Sequence, residues 1–314
     1  MAININSHSG PRGFTKGRLY FLLCLVIVFW GVNWPIMKLG VQQLSPLWFA
    51  AIRMFLGSLF LFGILAHQGR LRLPVRADWT ILITIAIFQI ALPTALIHTG
   101  LLFLGAGHSA IMVFSMPLWV APLAFFFLGE KLSLVNLAGL GLGLVGITIL
   151  FNPAGFDYTD QNLMIGNGFM LVASVSFAIA IILMRRNTGI APLIQLVPWQ
   201  LFIGSVLLVI AALVFEGAPD IPWTPTMLAI MAYNGPVASG FCFWAYLTVS
   251  SELPAMNTAI GSMGVPVLGV LFSTLLLGEV LTFSAISALV LILTGVLTVS
   301  LNDLRRARAS NPLK

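Results

Sequence analysis

Charge is scarce in this chain of 314 residues: Asp, Glu, Lys and Arg together make up 8 % of it, where a soluble domain carries roughly a quarter. Fifteen basic and nine acidic side chains cannot give a globule of this size a polar skin. With 59 % hydrophobic residues and a mean hydropathy of +1.04, a water-soluble enzyme is excluded. A surface that faces lipid needs no such skin, so the class is an all-α, polytopic integral membrane protein. Cysteine is equally sparse. Cys24 and Cys242 both lie inside apolar runs, and no C-x-x-C or Cys/His ligand spacing occurs. A disulfide framework and a structural zinc site are therefore unsupported, and neither metal nor cofactor is expected. Also missing is any carboxylate near the middle of an apolar stretch. Proton-driven carriers usually keep one there, so strong proton coupling is not expected. The chain lacks H-x-x-x-x-D, H-E-x-x-H, paired intramembrane carboxylates and a basic Gly-rich loop. An integral-membrane transferase thus has no constellation to work with, and no enzyme is expected.

What is present is apolar length. A membrane span needs roughly 20 apolar residues, and ten windows qualify: 19–39, 46–66, 79–101, 108–128, 132–151, 164–184, 192–215, 225–250, 254–277 and 281–301. No soluble domain fits between them. With ten spans both termini share a side. That side collects Arg12, Lys16, Arg18, Arg70, Arg72, Arg76, Lys131, Arg185, Arg186, Arg305, Arg306, Arg308 and Lys314, against Lys38 opposite. Loop Lys and Arg mark the cytoplasmic side. Both termini are expected there, in a bacterial inner membrane, with Asp157, Asp160, Glu216, Asp220 and Glu279 outside. The net charge of +6 is then a topology signal, and no nucleic-acid partner is expected. Residues 1–18 read as a cytoplasmic tail, because a long span follows without a small-residue cleavage site. Trp48, Trp79, Trp199 and Trp223 near span ends read as interfacial anchors.

Sliding the chain by 149 residues places Ala110-Ile111 on Ala259-Ile260, Pro117 on Pro266, Leu128-Gly129-Glu130 on Leu277-Gly278-Glu279 and Gly146 on Gly295. The chain therefore holds a repeat of five spans, 19–151 and 164–301, joined by an extracytoplasmic connector at 152–163 and followed by a tail at 302–314. Five is odd, so the second copy enters the membrane upside down, and inverted repeats are a transporter architecture. The segments Ser109 to Ser133 and Thr258 to Thr282 each carry a mid-helix proline, an apolar run, Leu-Gly-Glu and then a new helix at Ser or Thr. With the opening Phe29-Trp30-Gly31-Val32-Asn33-Trp34-Pro35, they make the chain resemble the drug/metabolite transporter superfamily of the EamA-like type, over nearly its whole length. The resemblance implies a ten-helix basket, a central cavity lined by helices 3, 4, 8 and 9, and alternating access. In overall look it is most similar to the aromatic amino acid exporters.

Candidate site residues follow from polarity in an apolar setting. Buried amides need partners, which singles out Asn33, Gln89, Gln200 and Asn234, either as helix-to-helix bonds or as cavity groups. His98 and Arg53 are the ionisable groups inside spans, with His108 near a helix start. His98 suits a bonded interface residue or a cavity residue. Arg53 suits snorkelling to the nearby interface, or pairing with a substrate carboxylate or a helix C-terminus. Glu130 and Glu279 suit capping of the helix that follows each, or a gate. Pro93, Pro117, Pro122, Pro236 and Pro266 interrupt the cavity helices, and proline frees backbone carbonyls that a substrate could use. The mid-span aromatics are Trp30, Trp34, Phe114, Trp119, Phe241, Phe243, Trp244 and Tyr246. They suit packing or lipid, or a cavity that holds an ammonium by cation–π attraction. The candidate substrate set is Trp30, Asn33, Gln89, His98, Phe114, Ser115, Asn234, Trp244, Ser262 and Met263, with kinks or gates at Pro93, Pro117, Pro236 and Pro266. The expected activity is export of small metabolites, amino acids including aromatic ones foremost, by a monomer in the bilayer without strong proton coupling. Its rivals are a lipid or polyprenyl-carrier flippase and a membrane transferase.

Overall fold

The computed structural model of the chain describes residues 15–130, 132–151, 160–186, 193–253, 258 and 261–310. Most of the N-terminal tail and of the 152–163 connector, together with Lys131 and the start of the ninth window, lies outside them. Ten passes can be followed among the described residues. They are α1 (Lys16–Val41), α2 (Pro46–His67), α3 (Arg76–Gly100), α4 (Ala106–Leu128), α5 (Leu134–Phe151), α6 (Gln161–Arg186), α7 (Leu193–Phe215), α8 (225–252), α9 (Gly264–Leu277) and α10 (Phe283–Ser310). The last helix outruns its apolar window. No proline or glycine interrupts 302–310, so a sequence of fair helix formers continues the ladder past the lipid.

Four passes are broken, and proline stands at or beside each break. In α4 the first half ends at Val113 and the second begins at Met116, with Pro117 in its first turn. Proline there gives up an N–H that has no intrahelical partner anyway. α9 likewise begins after a turn at Met263 and carries Pro266 in its first turn. In α3 a π-helical stretch, Ala86–Ala91, precedes Pro93. In α8 a longer one, Tyr233–Phe241, contains Pro236.

The packing obeys the repeat. α2 lies on α7, α5 on α10 and α4 on α9; α1 packs on α9 and α8 as α6 packs on α4 and α3. Exchanging the halves leaves this set of neighbours unchanged. The α5–α10 seam is built on backbone contact: a Cβ at Gly139 would sit 2.9 Å from the Gly295 carbonyl, and one at Gly295 would sit 2.8 Å from the Gly143 nitrogen. Small residues let membrane helices approach closely where no hydrophobic effect separates helix from lipid. The seam is closed at one end by Asn302 Nδ2, which donates to Ser133 Oγ (2.7 Å) and to Asn136 Oδ1 (2.5 Å).

Two contacts show directly that the halves are inverted. Glu130, at the end of α4, pairs with Arg185 at 3.4 Å. Glu279, its mate at the end of α9, binds the opposite end of α4, accepting from Ala106 N (2.6 Å) and Gly107 N (3.0 Å). The two Leu-Gly-Glu motifs therefore stand on opposite faces of the molecule. In each, the glycine closes its helix in the left-handed region, φ 69° at Gly129 and 67° at Gly278, where a side chain would be strained.

Candidate functional site

Polar contacts join the halves at both faces, and those made by carboxylates on helix starts lie at the face away from the two chain ends. Besides Glu279 on the start of α4, Glu216 at the end of α7 accepts from Leu47 N (2.9 Å) and Trp48 N (3.1 Å) at the start of α2. Both carboxylates satisfy N–H groups that a helix start leaves unpaired, and both complement the positive end of its dipole. Lys38 does the converse at a helix end, donating to Leu101 O (2.5 Å) and Leu104 O (2.9 Å) after α3. Glu279 also borders a pocket of about 270 Å³ between α4 and α9, lined by Gly107, His108, Val270 and Thr282 among others. On the other face Arg185 and Glu130 pair while about half exposed. The reading in which each glutamate caps the helix that follows it is corrected for Glu279. The cap it makes is on α4, in the other half, because α9 ends against the start of α4.

Beneath this face lies a cluster that is fully enclosed. Arg53 (α2) is 5 % exposed and His98 (α3) 1 %. Arg53 Nε donates to Ser239 Oγ of α8 at 3.2 Å. Its Nη1 lies against Met37 Sδ of α1 and faces His98 Nε2 at 3.3 Å. His98 Nδ1 lies 2.7 Å from Thr94 O. A carbonyl only accepts, so Nδ1 carries the proton, and the lone pair of Nε2 is left to receive Nη1–H from Arg53. Snorkelling of Arg53 is thereby corrected: at this turn α2 faces α1, α3 and α8 rather than lipid, and the guanidinium points into the protein. Among the described residues no carboxylate lies within ion-pairing distance of Arg53; the one ion pair among them is Arg185–Glu130. A buried cation held by neutral groups alone is costly.

Two candidate amides stand near this cluster with their acceptors unused. Asn33 and Asn234 are 4 % and 0 % exposed, and the Oδ1 of each is unpaired, while Asn234 Nδ2 donates to Ile230 O at 3.0 Å. Asn33 is one turn from Met37 on the same side of α1. Asn234 adjoins Gly235, whose backbone packs against Leu56 and the Arg53 carbonyl. Buried polar atoms without partners are few in folded proteins. The Nε1 of Trp119 and the Nε2 of Gln200 are also buried and unpaired.

The other candidates fall in separate places. Trp30 donates Nε1–H to Ala238 O at 3.0 Å and packs edge-on to Phe243, with Tyr246 beside it. Trp244 stacks near Phe241, which meets Phe29, which in turn meets Tyr233. Spans 1 and 8 thus share two sets of aromatic contacts. Ser115, fully buried at the α4 break, is tied to Met112 O and to Ser174 Oγ of α6. Gln89, Phe114, Ser262 and Met263 are half-buried. Two carbonyls freed by the π-helical stretches are already taken, Ala238 O by Trp30 and Phe88 O by Ser176 Oγ (2.8 Å). These two cannot serve a substrate without losing a protein donor. Trp48, read as an interfacial anchor, is buried and donates to Gly217 O at 3.0 Å, because the start of α2 is covered by the end of α7. Residue types alone did not point to Met37, Thr94, Ser239 and Glu216. Met37, Thr94 and Ser239 are ordinary span residues, and Glu216 an ordinary connector carboxylate, until the fold brings them to Arg53 or to a helix start.

Ten passes in two inverted halves, stitched by carboxylate caps around a buried polar cluster, define a membrane transporter of the inverted-repeat class. The chain belongs to the EamA-like transporter family, whose model matches it twice, at residues 17–152 and 164–301. It is similar to the uncharacterized transporter YoaV of Bacillus subtilis, 30 % identical over 86 % of this chain and 92 % of that one. It also resembles a protein of Salmonella typhimurium named a probable amino-acid metabolite efflux pump, 27 % identical over 88 % of this chain and 92 % of that one. A solved crystal structure shares the fold with a TM-score of 0.62, covering 93 % of this chain and 99 % of its own at 18 % identity.

Proposed function

We propose that this transporter exports amino acids and related small zwitterionic metabolites from a bacterial cell by alternating access, with both termini in the cytoplasm. The observation that carries the reading is the pair of buried, unpaired amide oxygens on Asn33 and Asn234, carried on the same helices as the Met37 and Ser239 partners of Arg53, a buried cation with no anionic partner among the described residues. An amino acid supplies what each lacks: an ammonium with three donors for the oxygens and a carboxylate for the cation. The aromatic rings on α1 and α8 offer apolar contact to a side chain. The name of the Salmonella relative agrees with this cargo class. The absence of a mid-span carboxylate in the sequence supports transport that does not depend on a proton gradient.

The test is flux of labelled phenylalanine and leucine through proteoliposomes of the purified chain. Movement down the amino acid gradient is expected, and it should persist at equal pH on both sides. Asn234→Ala should cut the flux at least fivefold with little change in Tm. Strict dependence on a pH gradient, or full transport by Asn234→Ala, would refute the corresponding part of the proposal. An apolar groove of about 250 Å³ runs between α2 and α7, lined by Ile52, Phe55, Phe202 and Val206 among others, and a lipid flippase would hold an acyl chain on such a surface. Competition by lipid in the same liposomes would favour that rival.

A further inference from the structure

We infer that Arg53 is the recognition point for the carboxylate of the cargo, and that the thioether of Met37 holds its place until cargo arrives. This rests on the transport reading above and makes it specific: the cargo is an organic acid first, and an amine only second.

A guanidinium presents five N–H donors in a planar fork suited to two carboxylate oxygens. Arg53 spends Nε–H on Ser239 Oγ and directs Nη1 at His98 Nε2 and Met37 Sδ. All three partners are neutral, and a thioether is a weak acceptor. The cluster thus holds a charge that is 5 % exposed with neutral acceptors alone. His98 is a positioning residue. Its bond to Thr94 O fixes which nitrogen carries the proton, so that an acceptor, not a second donor, faces the guanidinium. Ser239 fixes the other edge. Of these three partners Met37 has the least to lose. It is unbranched, with three rotatable bonds, and can swing aside for an anion.

The exchange has a consequence for the helices. Met37 belongs to α1 and Arg53 to α2, so replacing the thioether by a carboxylate undoes a direct α1–α2 contact and substitutes one made through the cargo. The unpaired Asn33 Oδ1, one turn from Met37 on the same helix, then has a donor in the ammonium of an amino acid. Lysine in place of Arg53 would keep the charge and lose the fork.

Three probes separate the possibilities: phenylalanine, 3-phenylpropionate (acid without amine) and phenethylamine (amine without acid). Binding is read from the rise in Tm of the purified full-length protein and from competition with phenylalanine flux. The two acids should bind, and phenethylamine should bind at least tenfold more weakly than 3-phenylpropionate. Arg53→Met should abolish that difference, and Arg53→Lys should weaken both acids. Met37→Glu, which supplies an internal carboxylate, should raise the Tm of the free protein and remove the response to 3-phenylpropionate. If phenethylamine binds as well as 3-phenylpropionate in the unaltered protein, or if none of the three binds, the inference falls, whatever the variants do. If the acids bind but nothing crosses the bilayer, the anion site stands and the transport reading fails.

Discussion

Glu279 joins the two halves through one carboxylate that receives two backbone N–H groups from a helix 173 residues earlier in the chain. Hydrogen bonds to a charged group contribute roughly 1.5–3 kcal/mol, whereas an exposed ion pair contributes about 0–1 kcal/mol. Glu279→Gln is therefore expected to lower stability by about 2 kcal/mol. Glu130→Gln, which removes only the half-exposed pair with Arg185, should cost less than about 1 kcal/mol. Thermal unfolding of the two variants in detergent checks this, and equal losses would contradict the assigned roles. The sequence showed that both glutamates follow a helix-closing glycine and that capping is a natural use for them. It did not show which helix is capped, because that depends on where the end of α9 comes to rest. His98 and Arg53 were legible as unusual for the same reason: polar groups stand out in an apolar span. Their mutual contact was not legible, since 45 residues separate them.

At the scale of the helix, proline marked the broken passes but not the form of the break. α4 and α9 turn just ahead of the proline, while α3 and α8 widen into π-helical stretches. The widened carbonyls at Phe88 and Ala238 are taken by Ser176 and Trp30, each from the first helix of the opposite half. Freed backbone in a membrane must be covered by protein or face water, and the fold meets this with the helix that the repeat brings there. The glycines of α5 and α10 divide in the same way. A Cβ at Gly295 would press on the backbone of Gly139 and Gly143, while one at Gly141 meets nothing within 4 Å. Gly295→Val should thus part α5 from α10 and cost several kcal/mol, a clash the backbone cannot relieve. Gly141→Val, facing outward from the same seam, should change stability by less than about 1 kcal/mol. Unfolding of both in the same detergent decides it, and a mild Gly295→Val would show that the seam is looser than described.

For the whole molecule, inversion of the halves is the property on which transport turns, since two similar halves in opposite orientation supply two similar gates. In this structure the face with Glu279 and Glu216 is bound by backbone-directed carboxylates, and the opposite face by the half-exposed Glu130–Arg185 pair, by Trp199 donating to Arg72 O and by Asn302 on Ser133 and Asn136. Single cysteines at the two glutamates test both inversion and sidedness. With Cys24 and Cys242 replaced by serine, Glu279→Cys should react with a membrane-impermeant thiol reagent in intact cells. Glu130→Cys should react only after the membrane is opened. Labelling of both from one side would end the inverted-repeat description.

Composition, span length, the spacing of Pro and Leu-Gly-Glu, and the odd number of passes per repeat sufficed to establish a ten-pass membrane transporter with inverted halves. Each of these acts locally or by counting: lipid demands apolar length, and an odd number of crossings reverses direction. The partners of Arg53, the helix that Glu279 caps, the burial of Trp48 and the acceptors left open on Asn33 and Asn234 were decided only by the tertiary structure. In a chain whose spans are almost uniformly apolar, hydrophobic pattern scarcely distinguishes the side of a helix that meets lipid from the side that meets protein. That choice is made by close packing at small residues and by the few polar groups that find one another across the halves.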